Sequence, residues 1–188
     1  DGYEPSSIPE NDPTDPSNIA FGKETRANSG KSISSWAVDG NPDTTWSAFT
    51  FPSNLDVDLG ENYLLDDITV YFPVSEDRYY QYTIYTSLDG VNFDRLVQKR
   101  NHEVADADGD TYQLDDTEAR YVRVNVEFVS EGAAAILGEI KLHGTESNTP
   151  TKEREELQIP AFEGSGYDDP ITEEETINEV YALVERRL

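Results

Sequence analysis

Residues 36–46 read WAVDGNPDTTW, a compact acidic turn set between two tryptophans. Asp39 offers a carboxylate, Gly40 permits a tight bend, and Thr44 offers both a hydroxyl and a carbonyl, while a bent backbone aims further carbonyls inward. Hard oxygen donors gathered in this way suit Ca²⁺. The same Asp-Gly-Asn-Pro-Asp run also makes an ordinary surface turn, and its spacing alone does not choose between the two.

On either side of this turn, from Asn18 to about Gly144, short apolar runs alternate with polar residues and are punctuated by turn residues, which is β-protein texture. Leu55, Val57 and Leu59 alternate, as do Ile68, Val70 and Phe72. From Arg120 to Phe128, the apolar Val122, Val124, Val126 and Phe128 interleave with Arg123, Asn125 and Glu127, so one face is expected to be buried and the other wet. In SLDGVNF, residues 87–93, the pair Asp89-Gly90 supplies the positive φ angles of a hairpin turn. About seven strands without an intervening amphipathic helix predict an all-β antiparallel sandwich.

The flanks differ. Residues 1–17 carry four Pro and five acids with almost nothing apolar, and are expected to be a linker. Residues 145–170 are polar and Pro-broken, a second linker. Over 171–188, Thr172 and Glu175 form a capping box, and Ile177, Val180, Tyr181, Val184 and Leu188 recur at helical spacing. This helix is expected to open a following domain.

With 14 Lys plus Arg against 39 Asp plus Glu, the net charge is −25. Such a surface repels phosphates and anionic lipid, so neither nucleic acid nor a membrane surface is an expected partner. No apolar run approaches the roughly 20 residues of a membrane helix. The chain has no Cys, which excludes disulfides and thiol chemistry but leaves the compartment open. There is no nucleophile elbow, no zinc-protease motif and no phosphate-cradling Gly loop, and only two His. No pair of acids is marked out for catalysis, so no enzyme activity is expected within these residues.

Seven pieces in order, NIAFGK (18–23), AVDGNPDTTW (37–46), LDVDLG (55–60), ITVY (68–71), YTIYTSLDG (82–90), ARYVRV (119–124) and LGEIKLHG (137–144), resemble the coagulation factor V/VIII type C, or discoidin, fold and especially family 32 carbohydrate-binding modules. The resemblance covers residues 18–144 and implies a discoidin-like jelly roll. It also implies a structural Ca²⁺ held by the Trp36 carbonyl, the Asp39 side chain, the Asn41 carbonyl, the Thr44 hydroxyl and carbonyl, the Gly138 carbonyl and the Glu139 side chain. Glu139 stands in an otherwise apolar strand end, where an unpaired carboxylate is costly. A metal explains it; exposure, or pairing with a residue such as Arg26, is the alternative.

Sugar rings present flat CH faces to aromatic rings, and hydroxyls to fixed polar side chains. Recognition is expected on loops at one end of the sandwich: WSAFTFPS (46–53), FPVSEDRYY (72–80) and VSEGAAA (129–135). Phe49 or Phe51 and Tyr79 or Tyr80 are the candidate stacking platforms, with Glu76, Asp77 or Arg78 as hydroxyl partners. The resemblance implies that Trp46 belongs to the core. Family modules often use a loop His with Arg for galactose-type sugars, whereas here His102 lies in a separate acidic loop and His143 ends the last strand, which departs from a simple galactose pattern. Residues 175–188 resemble the opening helix of the small domain in family 89 α-N-acetylglucosaminidases.

The expected function is a monomeric, non-catalytic glycan-binding module of a secreted or bacterial surface glycoside hydrolase. A protein-binding adhesion module and a spacer without a ligand are the alternatives. Loop conformation decides which sugar hydroxyls meet which donors.

Overall fold

The structure, a computed structural model, describes residues 12–41, 43–132 and 134–147, and statements below concern those. Residues 1–11, most of the expected second linker and the expected helix at 171–188 lie outside them.

Eight strands follow in order: β1 (Glu24–Ala27), β2 (Trp46–Ala48), β3 (Ser53–Tyr71), β4 (Tyr80–Ser87), β5 (Asp94–Lys99), β6 (Asp110–Val129), β7 (Ala135–Leu137) and β8 (Glu139–Glu146). All pairings are antiparallel. The large sheet runs β1-β3-β6-β4-β5 with β8 also on β3, and β2 pairs with β7. A 3₁₀ helix, Lys31–Val38, precedes the acidic turn. The sequence pattern gives no sign of it, because its start depends on Gly30 in the left-handed region rather than on an apolar period.

The sandwich arises because β3 and β6 each serve both layers. Residues 53–58 of β3 lie between β1 and the second half of β6, and residues 63–70 lie between β8 and the first half of β6. Between the halves the register breaks at Asp58/Tyr63, where Gly60 has φ 87°. That break lets the strand turn a corner. The layers then close on each other: the Tyr82 hydroxyl on β4 lies 2.7 Å from that of Tyr112 on β6, although Tyr82's ladder partners are Lys99 and Val126.

The inward residues are those of the period-two runs. Leu55, Val57, Leu59, Ile68, Val70, Val122, Val124 and Val126 are buried, as is Trp46, whose Nε1 donates to the Ser29 carbonyl at 3.1 Å. On the outer face, Asp56 accepts a bidentate pair from Arg123 (2.6 and 2.7 Å) and Asp58 one from Arg120 (2.9 and 3.3 Å), so two of the many acids are neutralised in place. The expected hairpin joins β4 and β5. Its turn is longer than two residues because the Asp89 carboxylate accepts from Val91 N and Asn92 N, both at 2.8 Å, and closes a wider loop. These donors hold Asp89 well below the usual carboxylate range.

One alternation fails. Gln81 pairs with Phe128 but Tyr82 pairs with Val126, so Glu127 is bulged, and beyond it the faces exchange. Val129 turns inward and Phe128 turns out, 43% exposed, instead of joining the core.

Residues 12–17, expected to be linker, are held against the sandwich. Asp12 is only 1% exposed, its carboxylate accepting from Thr14 N and Thr14 Oγ1 at 2.7 Å and from Asn18 Nδ2 at 3.0 Å. Asn18 Oδ1 in turn accepts from Leu142 N at 3.1 Å. Residues 12–18 are thus fastened to β8 by polar contacts, which a count of apolar residues does not register.

His143 completes this clasp, with Nδ1 2.7 Å from Asp67 and Nε2 3.0 Å from Asp15. Burial pulls the imidazole pKa down, but the hydrogen bonds and charges of Asp67 and Asp15 outweigh it and raise it above the ordinary value. A raised folded pKa contributes stability in full below about pH 6.5, lost as pH climbs through the folded value. With excess Ca²⁺ in the buffer, raising the pH from about 6 to about 9 should cost up to about 1 kcal/mol through this contact, and His143→Gln should remove that part of the melting difference. Equal pH dependence in both proteins would refute the clasp.

Candidate functional site

The acidic turn leaves the 3₁₀ helix at Val38 and doubles back through Gly40, φ 70°. Around the Thr44 hydroxyl four oxygens crowd: both Asp39 carboxylate atoms at 2.9 Å, the Asn41 carbonyl at 2.8 Å and the Trp36 carbonyl at 3.5 Å. One hydroxyl has one proton, so it satisfies only one of these acceptors at a time. Asp39 Oδ1 also accepts from Asn41 N at 2.9 Å.

Glu139, at the start of β8, approaches from the other side, its Oε1 accepting from Gly40 N at 3.3 Å. The residue is 3% exposed and Oε2 has no hydrogen-bond partner. Burial, with Asp39 and Asp12 nearby, pushes its pKa up to about 8. Arg26 does not serve it, being paired with Glu24 at 3.1 Å. Gly138 is buried beside it, its N donating to the Tyr71 carbonyl at 2.8 Å.

Trp36, Asp39 and Asn41 are therefore brought together around Thr44, and Glu139 meets the turn through Gly40, whereas the contact of Gly138 is with Tyr71. Asp12 is the member that sequence reasoning missed: a Cβ on Gly40 would lie 3.0 Å from Asp12 Oδ1. Among the described residues, no three His, Cys, Asp or Glu groups converge as a ligand set. Carbonyl and hydroxyl oxygens would have to complete one. The orphaned, buried Glu139 Oε2 near the oxygens of the turn fits a hard cation such as Ca²⁺.

The candidate binding loops gather at one end. Ser53 at the start of β3 pairs with Val126 and Tyr80 at the start of β4 pairs with Val129, so both strands begin where β6 ends. Phe49 is 83% exposed, and Phe51, Glu76 and Asp77 are also exposed. Arg78 is half-buried. Tyr80 is not available as a platform: it is 1% exposed, stacks on Phe72 with centroids 4.4 Å apart and donates its hydroxyl to the Pro73 carbonyl at 3.0 Å. As the first residue of β4 it takes the inward phase of that strand.

Tyr79 points the other way and is half-buried. It stacks on His102 with ring centroids 4.6 Å apart and meets Phe128 at 5.8 Å. The expected separation of His102 from the binding loops does not hold, because Val104 bridges to Tyr79 and Ala105 N donates to the Arg78 carbonyl at 2.9 Å. No local sequence signal announces contacts between residues so far apart.

Residues 36–124 match the family model of an F5/F8 type C domain, described as NedA-like and galactose-binding. No curated protein sequence matches the chain. Among solved structures, a family 89 glycoside hydrolase from Clostridium perfringens, in complex with 2-acetamido-1,2-dideoxynojirimycin, is similar over 69% of this chain at 28% identity and TM-score 0.62. The chain spans 15% of that hydrolase's length. A CBM32 module of a Clostridium perfringens family 89 protein, in complex with GalNAc-β-1,3-galactose, is covered over 99% of its length, with 68% of this chain, 20% identity and TM-score 0.57. A chitosan-binding module from a Paenibacillus sp. IK-5 chitosanase/glucanase is covered over 98%, with 68% of this chain, 23% identity and TM-score 0.56. Residues 36–124 are thus similar to an F5/F8 type C domain, and the fold is the β-sandwich of CBM32 modules.

Proposed function

We propose that this sandwich domain is a non-catalytic, monomeric carbohydrate-binding module, stapled by one structural Ca²⁺, that holds a secreted or surface glycoside hydrolase on its glycan. The observation that carries the reading is the end of the sandwich where Phe49 and Phe51 stand exposed on one loop, with Glu76, Asp77, Arg78 and Tyr79 on the next. Rings for sugar CH faces and polar groups for hydroxyls occur there together. Tethering such a module to a hydrolase raises the effective sugar concentration at the active site without any new catalytic group. The 28% identity to a segment of a family 89 hydrolase supports a parent of that kind.

The chemistry expected of the metal is to neutralise Asp39 and Glu139 and so tie the turn to β8. Asp39, Thr44, Glu139 and the carbonyls of Trp36, Asn41 and Gly138 would hold it. No group in the loop is positioned to use it for catalysis.

A glycan array followed by calorimetry tests the reading. One class of terminal sugar should bind in the micromolar to millimolar range. Phe49→Ala, at a surface position, should leave the folding free energy within about 0.5 kcal/mol of the parent while weakening binding about tenfold. A folded protein silent across the array would contradict the proposal.

A further inference from the structure

We infer that residues 12–22 form a strap whose docking is coupled to calcium binding, with Asp12 as a positioning residue for the metal site rather than a ligand. This rests on the calcium reading of the acidic turn and extends it to a segment outside both the turn and β8.

The strap joins the same two elements that the metal would tie. On the β8 side, Asn18 Oδ1 accepts from Leu142 N at 3.1 Å, Ile19 N donates to the Leu142 carbonyl at 2.9 Å, and Lys141 Nζ donates to Thr14 Oγ1 at 3.0 Å. On the turn side, Gly22 N donates to the Val38 carbonyl at 2.8 Å. Gly40 is wedged against the strap: Asp12 Oδ1 and Phe21 Cε2 each lie 3.0 Å from where a Cβ on Gly40 would stand. Gly40 N is also the group that meets Glu139. The backbone between Asp39 and Asn41 therefore rests on the strap.

The lone pairs of Asp12 are already engaged. Oδ1 accepts from Thr14 N, Thr14 Oγ1 and Asp15 N, and Oδ2 accepts from Asn18 Nδ2. A carboxylate has about four lone-pair sites, so these donors fill them and leave the charge to act through space. Asp12 is 1% exposed, and its charge bears on Glu139 together with that of Asp39. Lys141 Nζ, 3.8 Å from Asp12 Oδ2, is shared with Asp15 Oδ2 at 3.9 Å. Buried negative charge in excess of its counter-charge costs free energy, and a divalent cation offsets it. The coupling is reciprocal: whatever Asp12 adds to calcium affinity, the strap gains in docking when the site is filled.

The test is a calorimetric Ca²⁺ titration of the full chain as wild type, Asp12→Asn and Lys141→Met. Asp12→Asn should weaken the affinity about tenfold. Lys141→Met removes the neighbouring cation and keeps the Asp12 charge, so it should bind Ca²⁺ at least as tightly as wild type. Equal affinity in Asp12→Asn and wild type would overturn the coupling and leave the calcium reading intact. A loss in Lys141→Met as large as in Asp12→Asn would overturn the charge role of Asp12. Wild type that binds no Ca²⁺ would remove both the coupling and the calcium reading. Should Asp12→Asn not fold, hydrogen exchange in wild type decides. Well below the melting temperature, added Ca²⁺ should slow the Thr14, Asp15 and Asn18 amides, and unchanged rates would overturn the coupling.

Discussion

Removing calcium at pH 8 is expected to lower the melting temperature by about 10 °C, and Glu139→Gln is expected to abolish that response. A ligand present at a hundredfold its dissociation constant stabilises by about 2.7 kcal/mol, and each kcal/mol moves the melting point of a domain this size by about 4 °C. The sign in metal-free protein is set by Glu139. Its pKa is pushed up to about 8 from 4.5, so across that window the folded chain holds a proton that the unfolded chain releases. Stability therefore falls as pH rises from about 4.5 to about 8, by at most about 5 kcal/mol, being 3.5 units at 1.36 kcal/mol each. Calcium-saturated protein should lack this slope, because the cation favours the ionised carboxylate. Glu139→Gln has no charge to bury, so its metal-free form should melt above metal-free wild type at pH 8 and ignore added Ca²⁺. A wild-type melting curve indifferent to both chelator and calcium would eliminate the staple.

Gly30→Ala is expected to destabilise by about 3–4 kcal/mol, a drop of more than 10 °C. Gly30 has φ 65°, and a Cβ there would lie 2.1 Å from the Ser47 carbonyl oxygen and 2.9 Å from Trp46 Nε1. Neither can retreat cheaply. Ser47 is a β2 backbone position paired with Ile136, and the Trp46 indole is fully buried with its N–H on Ser29. The clash is separable from the backbone strain. Gly22 has φ 66° and open space around its Cβ position, so Gly22→Ala should cost only about 1–2 kcal/mol. Paired thermal melts decide it: equal losses would mean that the crowding at Gly30 is relieved by small shifts.

What the sequence revealed and what it hid divide along the range of the interactions involved. Leu55, Val57 and Leu59, or Val122, Val124 and Val126, announce a buried face because side-chain direction in a strand is a local, period-two property. Trp46 in the core followed from the family resemblance, and the metal set came from the same source, since the acidic turn by itself also suited a plain surface bend. Phe128 defeated the alternation because a single bulged residue, invisible in one strand, is defined only against β4. Between Tyr79 and Tyr80 the sequence left the choice open, since the direction of Tyr80 depends on where β4 begins, and the structure buries Tyr80. Asp12 and His102 needed contacts to β8 and to Tyr79 respectively, and nothing in their own neighbourhoods specifies those partners.

The corner that β3 and β6 turn together also bears on how the chain finds this arrangement. Val57 meets Val122 across 65 positions (122 − 57) and Ile68 meets Leu142 across 74 (142 − 68), whereas Ile84 and Val97 of the β4–β5 hairpin are 13 apart (97 − 84). A fold dominated by such distant pairings forms in milliseconds to seconds rather than microseconds. Because both layers share the same two strands, neither layer can be stripped away while the other keeps its register. Unfolding is therefore expected to be all-or-none across the whole sandwich.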